Sequence, residues 1–363
     1  MMQKKKIRVG FFSLAHPHVY ALAKAICNDQ DNFEIVGFAE ATETNMEPLA
    51  SERRRRHLIE ELHLKEYEDW CLLLEESLDL GIVNSDNASC EAICCELLKR
   101  GIHTLDEKPI AANYPGALRM CRLAKENKVH MLTNWPVAWI APFLKAKELV
   151  EAGIIGKLMR VTYRSPATWG PFGDRLNPSQ KETWWLKAER GGGAILDYAC
   201  YGAMLAVYFF GKGAKRVSAI SKQFATAEFS DVEDYSAMIF DFGDGVGLLE
   251  GSWATYNPGE IPTGPVLYGE RGVIVCDRYS SQVKIYKQDS HQPIAPDEVI
   301  EVDCSKGQDF LLGEHLARIL QNGEQPFEML SENLNLTVQA MLDGGRLSAQ
   351  TGKTVDIVYE SID

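Results

Sequence analysis

The stretch His103-Thr104-Leu105-Asp106-Glu107-Lys108-Pro109-Ile110 decides how the rest of this chain is read. A short apolar run, the pattern of a buried strand, ends in an acid, a lysine and a proline, and a helical pattern begins near Asn113. In a parallel α/β sheet, Lys108 would stand at the carboxyl end of its strand, where open sheets of this class bind ligands. Pro109 fixes its own φ and restricts the residue before it, so the backbone aims the lysine. A lysine beside Glu107 can bind a hydroxyl or carbonyl oxygen and tune a proton transfer. Taken alone, the tripeptide is also what an ordinary strand end with a solvated lysine looks like.

The flanking pattern gives the strand its context. Apolar runs at 7–12, 33–39, 81–84 and 129–132 alternate with helical patterns at 19–27, 47–62, 70–76, 89–100 and 114–127. Gly101 stops the helix before the lysine strand. Such alternation calls for a parallel, doubly wound Rossmann-type sheet over residues 1–132. From residue 133 the rhythm changes. A helix at 142–152 leads into strand patterns at 157–163, 215–224, 234–241, 246–254, 264–269, 272–276 and 282–287, and helices at 310–322 and 332–350 follow. Short links between consecutive strands mean antiparallel pairing, so residues 133–363 are expected to form an α+β domain with a broad, mainly antiparallel sheet.

Composition narrows the partners. The 363 residues are 45% hydrophobic and 25% charged, ordinary for a globular protein of about two domains. A formal net charge of −13 argues against a nucleic-acid polyanion. The dense basic run Arg53-Arg54-Arg55-Arg56 has acids after it and reads as a solvated helix face. Nine cysteines without a C-x-x-C pair suggest reduced thiols and a cytoplasmic setting, and no His/Cys spacing marks a metal. The basic start is followed by an apolar run of strand length only, and no stretch reads as a membrane span.

A dinucleotide site would show G-x-G-x-x-G after the first strand. Those positions read Ser13-Leu14-Ala15-His16-Pro17-His18, so all three glycines are replaced. Ser13 and Ala15 are small enough for close approach to a pyrophosphate, whereas His18 is bulky for helix–strand packing. His16 and His18, near a helix N-terminus, suit either phosphate contact or capping. Glu40 ends the second strand, where a carboxylate accepts hydrogen bonds from an adenosine ribose and repels a 2′-phosphate. That favours NAD over NADP.

Three segments together resemble the Gfo/Idh/MocA oxidoreductases, the family of glucose-fructose oxidoreductase and inositol dehydrogenase. Leu105-Asp106-Glu107-Lys108-Pro109-Ile110-Ala111 is similar to the family's E-K-P strand end. Trp184-Trp185, then Gly191-Gly192-Gly193-Ala194-Ile195-Leu196-Asp197-Tyr198-Ala199-Cys200-Tyr201, resembles its G-G-G-x-x-x-D-x-x-x-H helix, with Tyr201 where histidine is commonest. Gly345 to Val355 is like its final helix and strand. The resemblance implies that Lys108, Asp197 and Tyr201 converge on the substrate beside a nicotinamide. It also implies that Glu107, Ser85 and Asn87 join the cofactor site. Asp197 and Tyr201 are four apart and would share a helix face. The glycines would let the backbone run close to cofactor or substrate, and Lys108 would lower the phenol's pKa. The family's T-P-N-x-x-H reads Ser85-Asp86-Asn87-Ala88-Ser89-Cys90 here, without the proline and histidine.

The segment from Arg164 to Lys187 carries Trp169, Phe172, Asp174, Arg175, Trp184 and Trp185. Flat rings with a few charged groups suit a sugar or polyol. Oxidation of a secondary alcohol by NAD is therefore expected, with Tyr201 taking the hydroxyl proton, Lys108 assisting, and Arg164, Trp169, Trp184 and Asp197 at the substrate. Two other readings share the fold: a glycosidase that uses NAD transiently, and a non-catalytic protein that has lost its nucleotide grip. A homodimer or homotetramer through the second sheet is expected from the resemblance.

Overall fold

The computed structural model describes residues 5–42, 48–165, 183–255 and 262–362. The first half forms a five-stranded parallel sheet from β1 (Ile7–Phe12), β2 (Phe33–Ala39), β3 (Leu80–Val83), β4 (His103–Glu107) and β5 (Met131–Asn134), in the order β2-β1-β3-β4-β5. The crossovers are α1 (Val19–Cys27), α2 (Pro48–Glu60), α3 (Trp70–Leu74), α4 (Cys90–Lys99) and α5 (Tyr114–Asn127). The strands are buried on both sides, which is why they read as continuous apolar runs. The helix starts are local chemistry. Asn113 Oδ1 accepts from Gly116 N at 2.9 Å, and Asp69 Oδ1 accepts from Cys71 N at 2.8 Å. Strand order reverses between β1 and β3, so a crevice opens at their carboxyl ends.

The second sheet has nine strands in the order β13-β12-β11-β10-β6-β9-β8-β7-β14. They are β6 (Leu158–Arg164), β7 (Arg216–Lys222), β8 (Tyr235–Asp241), β9 (Val246–Ser252), β10 (Val266–Gly269), β11 (Gly272–Cys276), β12 (Gln282–Tyr286), β13 (Glu298–Glu301) and β14 (Val355–Asp356). Every pair is antiparallel except β6–β9, so the sheet is mixed, though mainly antiparallel as expected. One face, carrying Val161, Tyr163, Met238, Phe240 and Leu249, is buried beneath α7 (Cys200–Phe210) and α9 (Glu332–Thr351). The other face carries Arg164 and the exposed Ile220 and Ile239. β13 escaped the sequence reading because Glu298-Val299-Ile300-Glu301 is too short and polar to show a period.

The helices α6 (Ala141–Glu151) and α8 (Gln308–Asn322) complete the set, and the chain does not divide cleanly at residue 132. β5 runs on to Asn134, and α8 returns to pack on α1. Asp343 Oδ2 accepts from Tyr114 N at 2.7 Å, and Asn335 Oδ1 accepts from Trp135 Nε1 at 2.7 Å, so α9 ties the two sheets together. Two expectations are corrected. Ala188–Phe210, 23 residues, is long and apolar enough to cross a membrane, but 89% of its most apolar window is buried in this fold. Nor are all four arginines solvated, because Arg54 Nη1 donates to the carbonyls of Leu14 (2.7 Å) and Ala15 (2.8 Å).

Candidate active site

The crevice between β1 and β3 is floored by the loop that lacks glycines. Ser13 adopts φ 69°, the left-handed conformation a glycine would take without strain, and its Oγ lies 2.8 Å from Thr42 Oγ1. The first glycine's backbone shape is thus kept by a residue that also links the ends of β1 and β2. Ala15 gives its carbonyl to Arg54 and to Trp184 Nε1 (3.3 Å). His16 is buried, with its ring 5.2 Å from that of Trp185. Burial, then the charges of His18 and Lys108, hold the His16 imidazole well below its usual pKa, so it is neutral. Its Nδ1 accepts from His18 N at 3.3 Å, which leaves the proton on Nε2. That Nε2 is buried without a hydrogen-bond partner among the described residues, as are both amide atoms of Asn84 at the end of β3.

Unsatisfied polar atoms at a sheet's topological switch point are what an absent polar ligand leaves behind. The loop therefore fits a dinucleotide: His16 Nε2–H and Asn84 are free to meet it, and Ser13 and Ala15 permit close approach. Glu40 ends β2, and its Oε1 accepts from Ala41 N (3.1 Å) and Thr42 N (2.9 Å); its other oxygen has no partner among the described residues. His18 does not crowd the helix. Its side chain turns aside, with Nδ1 3.0 Å from Glu107 Oε2, while Glu107 Oε1 accepts from Asn134 Nδ2 at 2.6 Å. His16, His18 and Glu107 place one ligand atom each within 4.8 Å of one another, a grouping that sequence spacing did not reveal. Within it His18 bonds Glu107, and His16 Nδ1 lies 3.8 Å from Glu107 Oε2.

Ser85 and Asn87 serve the protein's own backbone. Ser85 Oγ donates to Asp86 O at 3.0 Å, and Asn87 Nδ2 donates to Gly191 O at 2.8 Å. The three glycines also approach the protein's own atoms closely. A Cβ on Gly191 would sit 2.7 Å from Asn87 Cβ, and one on Gly192 would collide with the Trp185 carbonyl.

Lys108, Asp197 and Tyr201 do converge. The Lys108–Pro109 peptide is cis, and Lys108 is buried. Its Nζ donates to Asp197 Oδ1 at 2.7 Å and to the Asp197 carbonyl at 2.8 Å. Burial opposes the charge most strongly of any single cause, but Asp197, Tyr201 and Cys200 together outweigh it and hold Lys108 well above its usual pKa. Asp197 lies in a π-helical turn, Ile195–Ala199, that leads into α7 and carries Tyr201 on the next turn. Its Oδ2 accepts from Trp253 Nε1 at 2.9 Å, so each oxygen has a partner and Asp197 is held against Lys108. Lys108 Nζ sits 4.9 Å from the centroid of the Tyr201 ring. Burial pushes the Tyr201 phenol up to about 12, against the opposing pull of Lys108. The expected lowering is thus reversed, because desolvation of a phenolate outweighs the pull of the nearby Lys108 and Arg278.

Other expected substrate residues lie elsewhere. Arg164 alternates with buried Tyr163 and so faces the far side of the sheet, 3.6 Å from Glu250. Trp184 stacks on Trp185 at 3.7 Å and lines the nucleotide loop. Trp169, Phe172, Asp174 and Arg175 fall outside the described residues. Trp253 and Asn84 were not singled out by sequence; each lies far along the chain from the residues it meets, and no spacing links them.

Two family models match this chain: an oxidoreductase family with an NAD-binding Rossmann fold over residues 10–134, and a GFO/IDH/MocA C-terminal domain over residues 143–275. D-xylose dehydrogenase of Paenarthrobacter nicotinovorans is 24% identical over 238 residues, covering 59% of each chain. Myo-inositol 2-dehydrogenase of Thermotoga maritima is 29% identical over 210 residues, 55% of this chain and 58% of that one. The matches span about half the length of these curated relatives. The WlbA dehydrogenase of Bordetella pertussis, solved with NADH and UDP-GlcNAcA, superposes with a TM-score of 0.76 at 18% identity, covering 98% of this chain and all of that one. Aldose-aldose oxidoreductase of Caulobacter crescentus, solved with glycerol, gives 0.78 at 17% identity, covering 97% and 100%. At such identities the solved structures speak for the fold, and the family models decide the rest: the chain belongs to the Gfo/Idh/MocA family of NAD-binding oxidoreductases.

Proposed function

We propose that this protein is an NAD-dependent oxidoreductase that interconverts a secondary alcohol and its ketone on a sugar, cyclitol or related polyol. The observation that carries this reading is the buried Lys108–Asp197 pair beside Tyr201. An ammonium has three protons, and two are committed to Asp197, which leaves one to hold a substrate oxygen. Bound in the crevice, the nicotinamide supplies the hydride donor or acceptor. The chain's own residues manage charge and proton. Lys108 stabilises negative charge developing on the substrate oxygen, and Asp197 and Trp253 keep it aimed. Tyr201, protonated at neutral pH, donates the proton when a ketone is reduced; alcohol oxidation needs its phenolate and so gains from alkaline pH.

Sugar and cyclitol names among the relatives support the substrate class. Glu40 supports a preference for NAD over NADP. The nine free thiols accord with a reducing, cytoplasmic setting, and the apolar outer face of β7 and β8 suits a homodimer or homotetramer. Light scattering would check the assembly, and a monomer at micromolar concentration would contradict it. The activity is tested by nicotinamide absorbance with NAD and a polyol panel, and with NADH and the corresponding ketoses. Bound cofactor with no turnover in either direction sinks the proposal.

A further inference from the structure

A second cation approaches Tyr201 from the other end of the chain. Arg278 lies between β11 and β12, with its guanidinium carbon 5.7 Å from the Tyr201 ring centroid and 5.9 Å from that of Tyr279. The neighbouring acid does not serve it. Asp277 is committed to fixing the turn, with Oδ1 accepting from Tyr279 N (2.9 Å) and Oδ2 from Thr263 N (3.3 Å). No carboxylate lies within ion-pair distance of Arg278 among the described residues, whereas Asp197 pairs with Lys108 and Trp253. Among the described residues, Lys108 has a carboxylate partner at this site and Arg278 has none.

An unpaired, half-buried guanidinium is costly unless something completes its hydrogen bonds. A second group nearby is also incomplete. Tyr163, on β6, has a buried hydroxyl with no partner among the described residues, and it lies within electrostatic reach of Arg278. A planar fork of donors, with a phenol in its field that has no partner among the described residues, suits a group with two anionic oxygens.

We infer that Arg278, with Tyr163, forms an anion subsite next to Lys108, so that the substrate is an acidic sugar or polyol recognised through its carboxylate. The inference rests on the function proposed above for the same site, and it narrows that function to sugar acids. A phosphorylated sugar presents similar oxygens, and the experiment separates the two sources.

The test pairs a binding readout with turnover. Thermal shift of the NAD-loaded protein is measured with D-gluconate and D-glucuronate, with their neutral counterparts glucitol and glucose, and with glucose 6-phosphate, on the natural chain and on Arg278→Met and Arg278→Lys. The acids are expected to stabilise and the neutral compounds not to, with apparent affinity falling roughly 10- to 100-fold in Arg278→Met and partly recovering in Arg278→Lys. Stabilisation by glucose 6-phosphate alone, lost in Arg278→Met, overturns the carboxylate as the recognised group and assigns a phosphate. Equal response to acid and neutral compounds, or an acid response that survives Arg278→Met, overturns the subsite. Acid binding without turnover of any sugar upholds the subsite and removes the function proposed above.

Discussion

The nucleotide loop and the lysine cluster lie side by side at the carboxyl ends of β1 and β4, and they depart from their family's pattern in opposite ways. In the loop the residue types are changed and the backbone shape is kept: Ser13 holds the φ of 69° that a glycine would adopt. In the cluster Lys108 and Asp197 are kept, Tyr201 stands where histidine is commonest, and burial sets the charge states. Asp197 anchors Lys108, and burial raises the Tyr201 phenol so that it stays protonated at neutral pH. A motif thus records a conformation in one place and a juxtaposition in the other. Neither by itself records protonation.

The sharpest way to break the cluster is Lys108→Met. Removing one partner of a buried pair leaves Asp197 uncompensated, and unfolding stability is expected to fall by about 3–5 kcal/mol in urea titration. The double variant Lys108→Met with Asp197→Leu should recover part of that loss. If it is no more stable than Lys108→Met, the pair is not the structural unit described. Next comes Tyr201→Phe, expected to lower kcat by about 10²- to 10⁴-fold in both directions. The pH profile carries the sign. With the phenol pushed up to about 12, the phenolate is scarce at neutral pH, so alcohol oxidation should climb with pH while ketone reduction stays flat. An oxidation rate that levels off near pH 7 would mean that Tyr201 is not the group being titrated.

Two milder changes probe the loop. Glu40→Ala should weaken NAD about tenfold by calorimetry and narrow the gap to NADP. An unchanged ratio would take Glu40 out of the ribose site. Ser13→Gly and Ser13→Ala both remove the Oγ–Thr42 bond, but only glycine relieves the positive φ. The glycine variant should therefore be the more stable of the two by about 1 kcal/mol in denaturant unfolding. Equal stability would show that the conformation is not strained.

Much of the fold was legible because it rests on local chemistry. Alternating buried runs and helices specified the parallel sheet, and Asn113 and Gly101 marked helix ends where the structure has them. The convergence of Lys108, Asp197 and Tyr201 was legible through the family pattern. Spacing could not say that Arg164 faces away, because a one-residue difference in strand phase sends a side chain to the opposite face. Nor could it reveal Trp253 or Arg278, which reach the site through the register of the second sheet. The direction of the Tyr201 shift needed the depth of burial, a property of the whole packed interior.

The apolar segment Ala188–Phe210 has a consequence for biosynthesis. It satisfies the length and composition of a membrane span, yet it is hidden partly by α9, which begins at Glu332. During synthesis the segment leaves the ribosome more than a hundred residues before its cover exists. Until α9 arrives, the nascent chain exposes a surface that chaperones or a membrane would bind. Chains stopped before α9 are accordingly expected to aggregate or to sediment with membranes more than the full-length chain does.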